Sequence, residues 1–185
     1  MYRIILKILI LIKFFKFKFR QEGENCIYKF LDSKFTSPDK ISLKDNVNLG
    51  PGTELHGEGN IEIGNGVIFG PEVCIFTRTH NFDSADLSAL PFDNRILIAK
   101  VIIADYVWIG KRVIILPGIS IGKAAVIGAG SVISKDVPDY AVVVGNPGKV
   151  VRFRNKEIVE KLLQENDPFV YTKFGHKKEF AEKKR

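Results

Sequence analysis

From Ile103 the chain divides into six-residue blocks: IADYVW, IGKRVI, ILPGIS, IGKAAV, IGAGSV and ISKDVP, ending at Pro138. An aliphatic residue, Ile103, Ile109, Ile115, Ile121, Ile127 or Ile133, opens every block. Gly, Ala or Ser usually follows it, and the fifth position is Val, Ile, Ala or Ser. A fixed period of this kind constrains the fold more tightly than any local propensity.

A period of six specifies a coil of short strands. The first and fifth residues of each block point into a narrow interior, and their neighbours point outward as in any strand. Small residues at Gly110, Gly122 and Gly128 are expected to let the chain turn after each strand. Stacked coils pair strand on strand in parallel, so each buries the one beneath it. An amphipathic helix would need apolar spacings of three and four. The predicted class is all-β, a parallel β-helix.

Similar blocks run upstream from Ile41 as LKDNVN (43–48) and LGPGTE (49–54). The register slips by two residues through HGEGN and resumes as IGNGVI (63–68), FGPEVC (69–74) and IFTRTH (75–80). It breaks over 81–96, NFDSADLSALPFDNRI, and returns as LIAKVI (97–102). A coil of three blocks cannot absorb that insertion, so 81–96 must protrude as a loop, the kind of excursion on which function tends to sit. The stretch NKEIVEKLLQEN (155–166) reads as a short helix closing the end of the coil, followed by a charged tail. The expected divisions are a basic apolar segment over 1–40, the β-helix over 41–154, and the helix with its tail over 155–185.

The net charge of +7 sits at the ends. Residues 1–20 hold six cations and no anions, whereas 21–148 hold eleven cations against fifteen anions. A basic total hints at nucleic acid, but a mildly acidic body argues against that partner. In MYRIILKILILIKFFKFKFR, Lys7, Lys13 and Lys16 break the apolar run, which falls short of the roughly 18 residues of a spanning helix. No small-residue cleavage site follows, so a secretory signal is not indicated. Two readings of 1–20 stay open: a helix packed on the domain or on a neighbouring subunit, and an interfacial helix on an anionic membrane face. Cys26 and Cys74 form neither a disulfide framework nor a metal spacing. Both read as free thiols, with Cys74 outward between inward Val73 and Ile75, and they imply a reducing, cytoplasmic setting. No metal is expected.

The motifs VWIGKRVIILPGISIG, VIGAGSVISKDVPDYAVVVGNPGKVVR and TRTHNFD together resemble those of the hexapeptide-repeat sugar O-acetyltransferases, which include maltose, galactoside and nodulation-factor acetyltransferases and their polysaccharide-modifying relatives. The resemblance covers about Ile41 to Arg154. It implies a left-handed β-helix, a homotrimer, and acetyl-CoA lying in a groove between neighbouring coils. It implies His80 as the general base for an acceptor hydroxyl, a task suited to an imidazole. Lys111, matched by its backbone amide, falls near the thioester, Ala129 along the pantetheine arm, and Ser134 with Lys135 further along it. Lys149 and Arg152 match positions that meet the nucleotide phosphates, Lys149 serving as a point charge. Trp108 is expected to wall the reacting end.

On the acceptor side the chain departs from the small-sugar enzymes. Their early asparagine finds Gly50 or Gly52, and their acidic contact finds at best Glu58. His56, Glu58, Asn81 and Asp83 are the candidate acceptor contacts, with His56 equally readable as an exposed corner residue. His176, in the charged tail, reads as solvated. A surface polysaccharide or glycan precursor fits better than a free disaccharide. An N-acetyltransferase of a nucleotide-linked amino sugar is the alternative. A metal-binding scaffold is disfavoured because only His56 and His80 fall among the coils.

Overall fold

The computed structural model describes residues 17–165 and 169–175. The basic apolar stretch 1–16 and the tail from His176 onward lie outside the described residues, and so do the expectations that fall on them.

The chain winds as a three-sided parallel β-helix. Face A stacks Gln21–Glu22, Ile41–Leu43, Ile61–Ile63, Val101–Ile103 and Ser120–Ile121. Face B stacks Ile68–Phe69, Trp108–Ile109, Val126–Ile127 and Ala141–Val144, all parallel, and Lys149–Phe153 then folds back antiparallel along its edge. Face C stacks Lys34–Thr36, Glu54–His56, Cys74–Phe76, Ile114–Ile115 and Val132–Ile133. The regular coils advance by three blocks: Ile103 pairs with Ile121, Ile109 with Ile127 and Ile115 with Ile133.

First and fifth positions fill the interior as the period requires. Ile103, Val107, Ile109, Val113, Ile115, Ile121, Ala125, Ile127 and Ile133 are all buried. Full burial of an Ile-sized side chain is worth about 1.5–3 kcal/mol, so one substitution per coil is felt. Where the fifth residue is polar, its hydroxyl is satisfied locally: Ser131 donates to the Gly128 carbonyl at 2.7 Å, and Thr53 to that of Gly50 at 2.7 Å.

The corners work differently from the expectation. The left-handed turn falls on the fourth position, at Tyr106, Arg112, Gly118, Ala124 and Gly130, and not on the second-position glycines. Gly110 is required for another reason: a Cβ there would lie 2.6 Å from the backbone nitrogen of Ala129 in the next coil. Glycine at the second position permits close stacking. Non-glycine residues in the left-handed region cost about 1–2 kcal/mol each, and at Tyr106, Ala124 and Tyr140 the C-terminal segment offsets this by packing. Helix α1 (Lys156–Leu163), capped by the Asn155 side chain on Ile158 N at 3.1 Å, sets Val159 against Ala124 and Tyr140. The Tyr140 hydroxyl donates to Glu160. Helix α2 (Val170–Phe174) continues beside Asn25 and Asn46 of the first coils through Tyr171 and the preceding Phe169. Residues 155–165 and 169–175 therefore lie along the A–B corner, on the flank of the coil and not over its end.

The stack also begins before the periodicity does. Gln21–Glu22 pairs with Ser42–Leu43, and Lys34–Thr36 with Glu54–His56, so a first irregular coil precedes Ile41. Phe17, Phe19, Tyr28 and Phe35 close its open end in edge-to-face and tilted contacts, with Phe19 buried. Their aromatic rings carry no six-residue pattern, which is why the sequence concealed this coil.

Candidate active site

From coil two onward, the extra residues enter at the C–A corner, where coil one is also lengthened. Coil one turns there through 37–40, coil two through 57–60, and coil three sends out the long excursion. That excursion starts earlier and ends later than 81–96. Arg78–His80 and Ile96–Ile98 pair antiparallel as a hairpin stem, so LIAKVI is no coil block, and the coil is rejoined only at Val101. The Thr77 hydroxyl binds the stem to the coil above, donating to the His56 carbonyl at 2.5 Å and accepting from Gly59 N at 2.7 Å.

His80 ends the first stem strand, exposed to solvent, with its ring stacked on Phe92 at 3.8 Å between centroids and 20° between planes. The loop that carries Phe92 is locked internally. Arg95 donates to Asp93 Oδ2 through Nε at 2.9 Å and to Asp86 Oδ2 through Nη1 at 2.7 Å. Arg95, first of all, holds the Asp93 carboxyl well below the usual carboxylate range. Asn81 is buried, and its amide is spent on Ser84 Oγ at 2.8 Å and Asp93 Oδ2 at 2.7 Å. Asn81 thus shapes the loop, while Asp83 stays exposed on it. Phe92 and Arg95 were not picked out in the sequence, since neither belongs to a motif.

The acceptor-side candidates of coil two sit at the same corner. Glu58 accepts from Thr36 Oγ1 at 3.0 Å and lies 3.7 Å from Arg78 Nε. Burial pushes its carboxyl up, but hydrogen bonds from its own amide and Thr36, with the Arg78 charge, hold it below the usual range. His56 is nearly buried, stacked on Phe76 at 4.9 Å, with Nε2 3.2 Å from Glu54 Oε2. Ser134 and Lys135 are exposed at this corner one coil below the regular turn at Leu116.

The remaining cofactor candidates gather on face B and at the B–C corner. Trp108, 56% exposed, lies in one cross-strand row with Val126, Val142 and Arg152. At about 4.8 Å per strand the row places Arg152 roughly 14 Å from Trp108, with Lys149 on the same edge strand. At the B–C corner Lys111 and Ala129 occupy the third position of successive coils, and Gly130 N donates to the Lys111 carbonyl at 2.8 Å. The side chain of Lys111 is held by Glu72, Nζ to Oε1 at 3.1 Å.

The amides at that position distinguish this corner. At the A–B corner most third-position N–H groups are taken by a side chain of the next coil: Asp45 N by Asn65, Asn65 N by Asp105, and Lys123 N by Asp139, the exception being Asp105, which faces Lys123. At the B–C corner coils two and three have Pro51 and Pro71, without an N–H. The amides of Lys111 and Ala129 follow, and neither has a hydrogen-bond partner among the described residues. Two stacked outward donors are left for an extended ligand with amide or thioester carbonyls. These are the two positions that the resemblance singles out on the cofactor side.

Comparison with known proteins bears on the coil as a whole. The bacterial transferase hexapeptide (six repeats) profile matches residues 100–135. The galactoside O-acetyltransferase of Lactococcus lactis subsp. lactis is 38% identical over 142 residues, 72% of this chain and 63% of that protein. A solved maltose O-acetyltransferase of Clostridium difficile is 35% identical, with a TM-score of 0.66 over 75% of this chain and 71% of that one. A hexapeptide-repeat acetyltransferase of Vibrio cholerae, solved with acetyl-CoA, is 26% identical with a TM-score of 0.59 over 75% and 73% of the two chains. The chain belongs to the hexapeptide-repeat sugar O-acetyltransferase family. It spans somewhat under two thirds of the length of the galactoside enzyme it matches.

Proposed function

We propose that this protein transfers an acetyl group from acetyl-CoA to a hydroxyl of a carbohydrate, with His80 as general base. The observation that carries the reading is the pair of amides at Lys111 and Ala129, without a partner among the described residues, beside the exposed Trp108. In this reading the imidazole takes the acceptor proton as the oxygen attacks the thioester carbonyl. The Lys111 amide donates to the resulting oxyanion, and collapse expels the CoA thiolate, which recovers the proton from the imidazolium. Ala129 of the same copy and Ser134 with Lys135 from the C–A corner of an adjacent copy line the pantetheine arm, and Lys149 with Arg152 meet the phosphates.

The active unit in this proposal is a homotrimer. His80 leaves the coil from the C–A corner, which lies opposite face B in a three-sided prism, while Trp108 and Arg152 stand on face B. Base and cofactor row of one chain thus face different directions, and adjacent copies bring them together. The acceptor is a surface polysaccharide or glycan precursor, met by Glu58 and Asp83 on an open corner, while His56, nearly buried against Phe76, is turned away from it. Among the described residues no helix is long and apolar enough to cross a membrane. We place the enzyme in the cytoplasm and keep for residues 1–16 the peripheral contact with an anionic membrane face that their sequence supports. Phe17 and Phe19 are committed to the cap of the coil.

The test is acetyl-CoA turnover against a panel of sugars and lipid-linked glycans, read as thiol release. Acceptor-dependent release that falls in His80→Ala supports the reading. Release that is unchanged in His80→Ala, or that requires an amino sugar, overturns O-transfer by this base.

A further inference from the structure

We infer that Glu54, His56 and Cys74 form a binding site for a divalent transition-metal ion of the zinc type, on the outer side of face C where coil two meets coil three. The inference is independent of acetyl transfer. The His56 ring nitrogen, a Glu54 carboxylate oxygen and the Cys74 sulfur all lie within 4.8 Å of one another. Nothing in the linear sequence shows this, because the three residues follow no metal-ligand spacing.

The topology brings them together in two steps. Glu54 and His56 are two apart on one strand, so both side chains leave the same side of face C. Cys74 stands directly beside Glu54 on the next coil, in register, at the strand spacing of about 4.8 Å. His56 is held in place: its side chain is 9% exposed, its ring is stacked on Phe76, and Nε2 already points at Glu54 Oε2, 3.2 Å away. Glu54 is half-exposed and able to swing. Tetrahedral zinc with ligands at about 2.0–2.3 Å sets its donor atoms roughly 3.3–3.6 Å apart, so closing the cluster needs a shift of about 1 Å, within reach of the Glu54 side chain.

The donor set selects the ion. One imidazole, one carboxylate and one soft thiolate suit zinc or cobalt, whereas magnesium and calcium prefer oxygen alone. Three protein ligands on a surface open to solvent leave the fourth position to water. Lys34, aligned with Glu54 on the first coil, supplies a positive charge that works against the ion. The Cys74 thiol releases its proton on binding, so affinity rises with pH.

Cobalt(II) alone, titrated into the chelator-treated, reduced full-length protein, is the probe. The expected result is one ion per chain, with the visible bands of a tetrahedral site and a near-ultraviolet thiolate charge-transfer band. Cys74→Ser should abolish the charge-transfer band, Glu54→Gln should weaken binding at least tenfold, Lys34→Ala should tighten it, and Cys26→Ser should change nothing. Zinc should raise the Tm of the wild type and not of Cys74→Ser. Should Cys74→Ser fail to fold, Glu54→Gln, which keeps the thiol, decides on affinity alone. No cobalt binding by the wild type at millimolar concentration would show a plain His56–Glu54 ion pair and overturn the inference. A thiolate band that disappears with Cys26, or affinity unaltered in Glu54→Gln, would do the same.

Discussion

At the scale of single residues, position in the six-residue block decides what a side chain can do. Gly110 and Gly130 look alike in the sequence but are required for different reasons. A Cβ at Gly110 would strike the backbone of Ala129, whereas one at Gly130 meets nothing within 4 Å and carries only the cost of φ +73°. Gly130→Ala should lower stability by about 1–2 kcal/mol, and Gly110→Ala by more, since backbone cannot step aside as a side chain does. Urea midpoints of the two variants give the order directly. His80 belongs to the same scale. Its removal should slow turnover by about 10²–10⁴-fold, the usual contribution of a general base, with acetyl-CoA affinity unchanged. Cys74 is a poor nucleophile, its thiol pushed up to about 11 by burial and by the Glu54 carboxylate, which argues against an acyl-enzyme. An active His80→Ala beside an inactive Cys74→Ala would reverse that assignment.

At the scale of elements, the hairpin and the C-terminal segment each depend on a few polar contacts. The Asp93 carboxyl is depressed by Arg95. A group whose folded pKa lies below its unfolded value stabilises above the unfolded pKa and loses that contribution as pH falls through the folded one. The loop should therefore keep its protection from hydrogen exchange below pH ~4, where ordinary aspartates protonate, and Arg95→Met should lose it at that pH. For α1, Asn155→Ala removes the cap on Ile158 and should cost about 0.5–2 kcal/mol, measured as earlier release of the C-terminal segment to a protease. The strands between Ile41 and Val137 were legible because burial alone fixes their period. The hairpin stem was not: Arg78–His80 and Ile96–Ile98 pair only with each other, and their apolar residues mimic a coil block. The first coil escaped notice for the opposite reason, as its core is aromatic and aperiodic.

At the scale of the whole molecule, what the sequence could not show is which residues share a face. Trp108 and Arg152 are far apart in the chain yet stand in one row, and Glu54 with Cys74 meet only because two coils stack. His80 and Lys149 lie on different sides of the prism, so the proposed site draws on two copies. Replacing both Lys149 and Arg152 with alanine should weaken CoA binding, and the loss should shrink as salt rises because exposed charges are screened. Equal affinity after both changes would move the nucleotide elsewhere. Light scattering should find a trimer at micromolar concentration, and an active monomer would end the account. The most direct measurement uses co-assembled copies of two silent variants, His80→Ala and the doubly reversed Lys149→Glu, Arg152→Glu, assayed at low acetyl-CoA. With base and phosphate contacts supplied by adjacent copies in a closed ring, random 1:1 assembly should restore about one quarter of wild-type activity. If the mixture stays as inactive as its parents, each site is built within one chain, and the central claim is wrong.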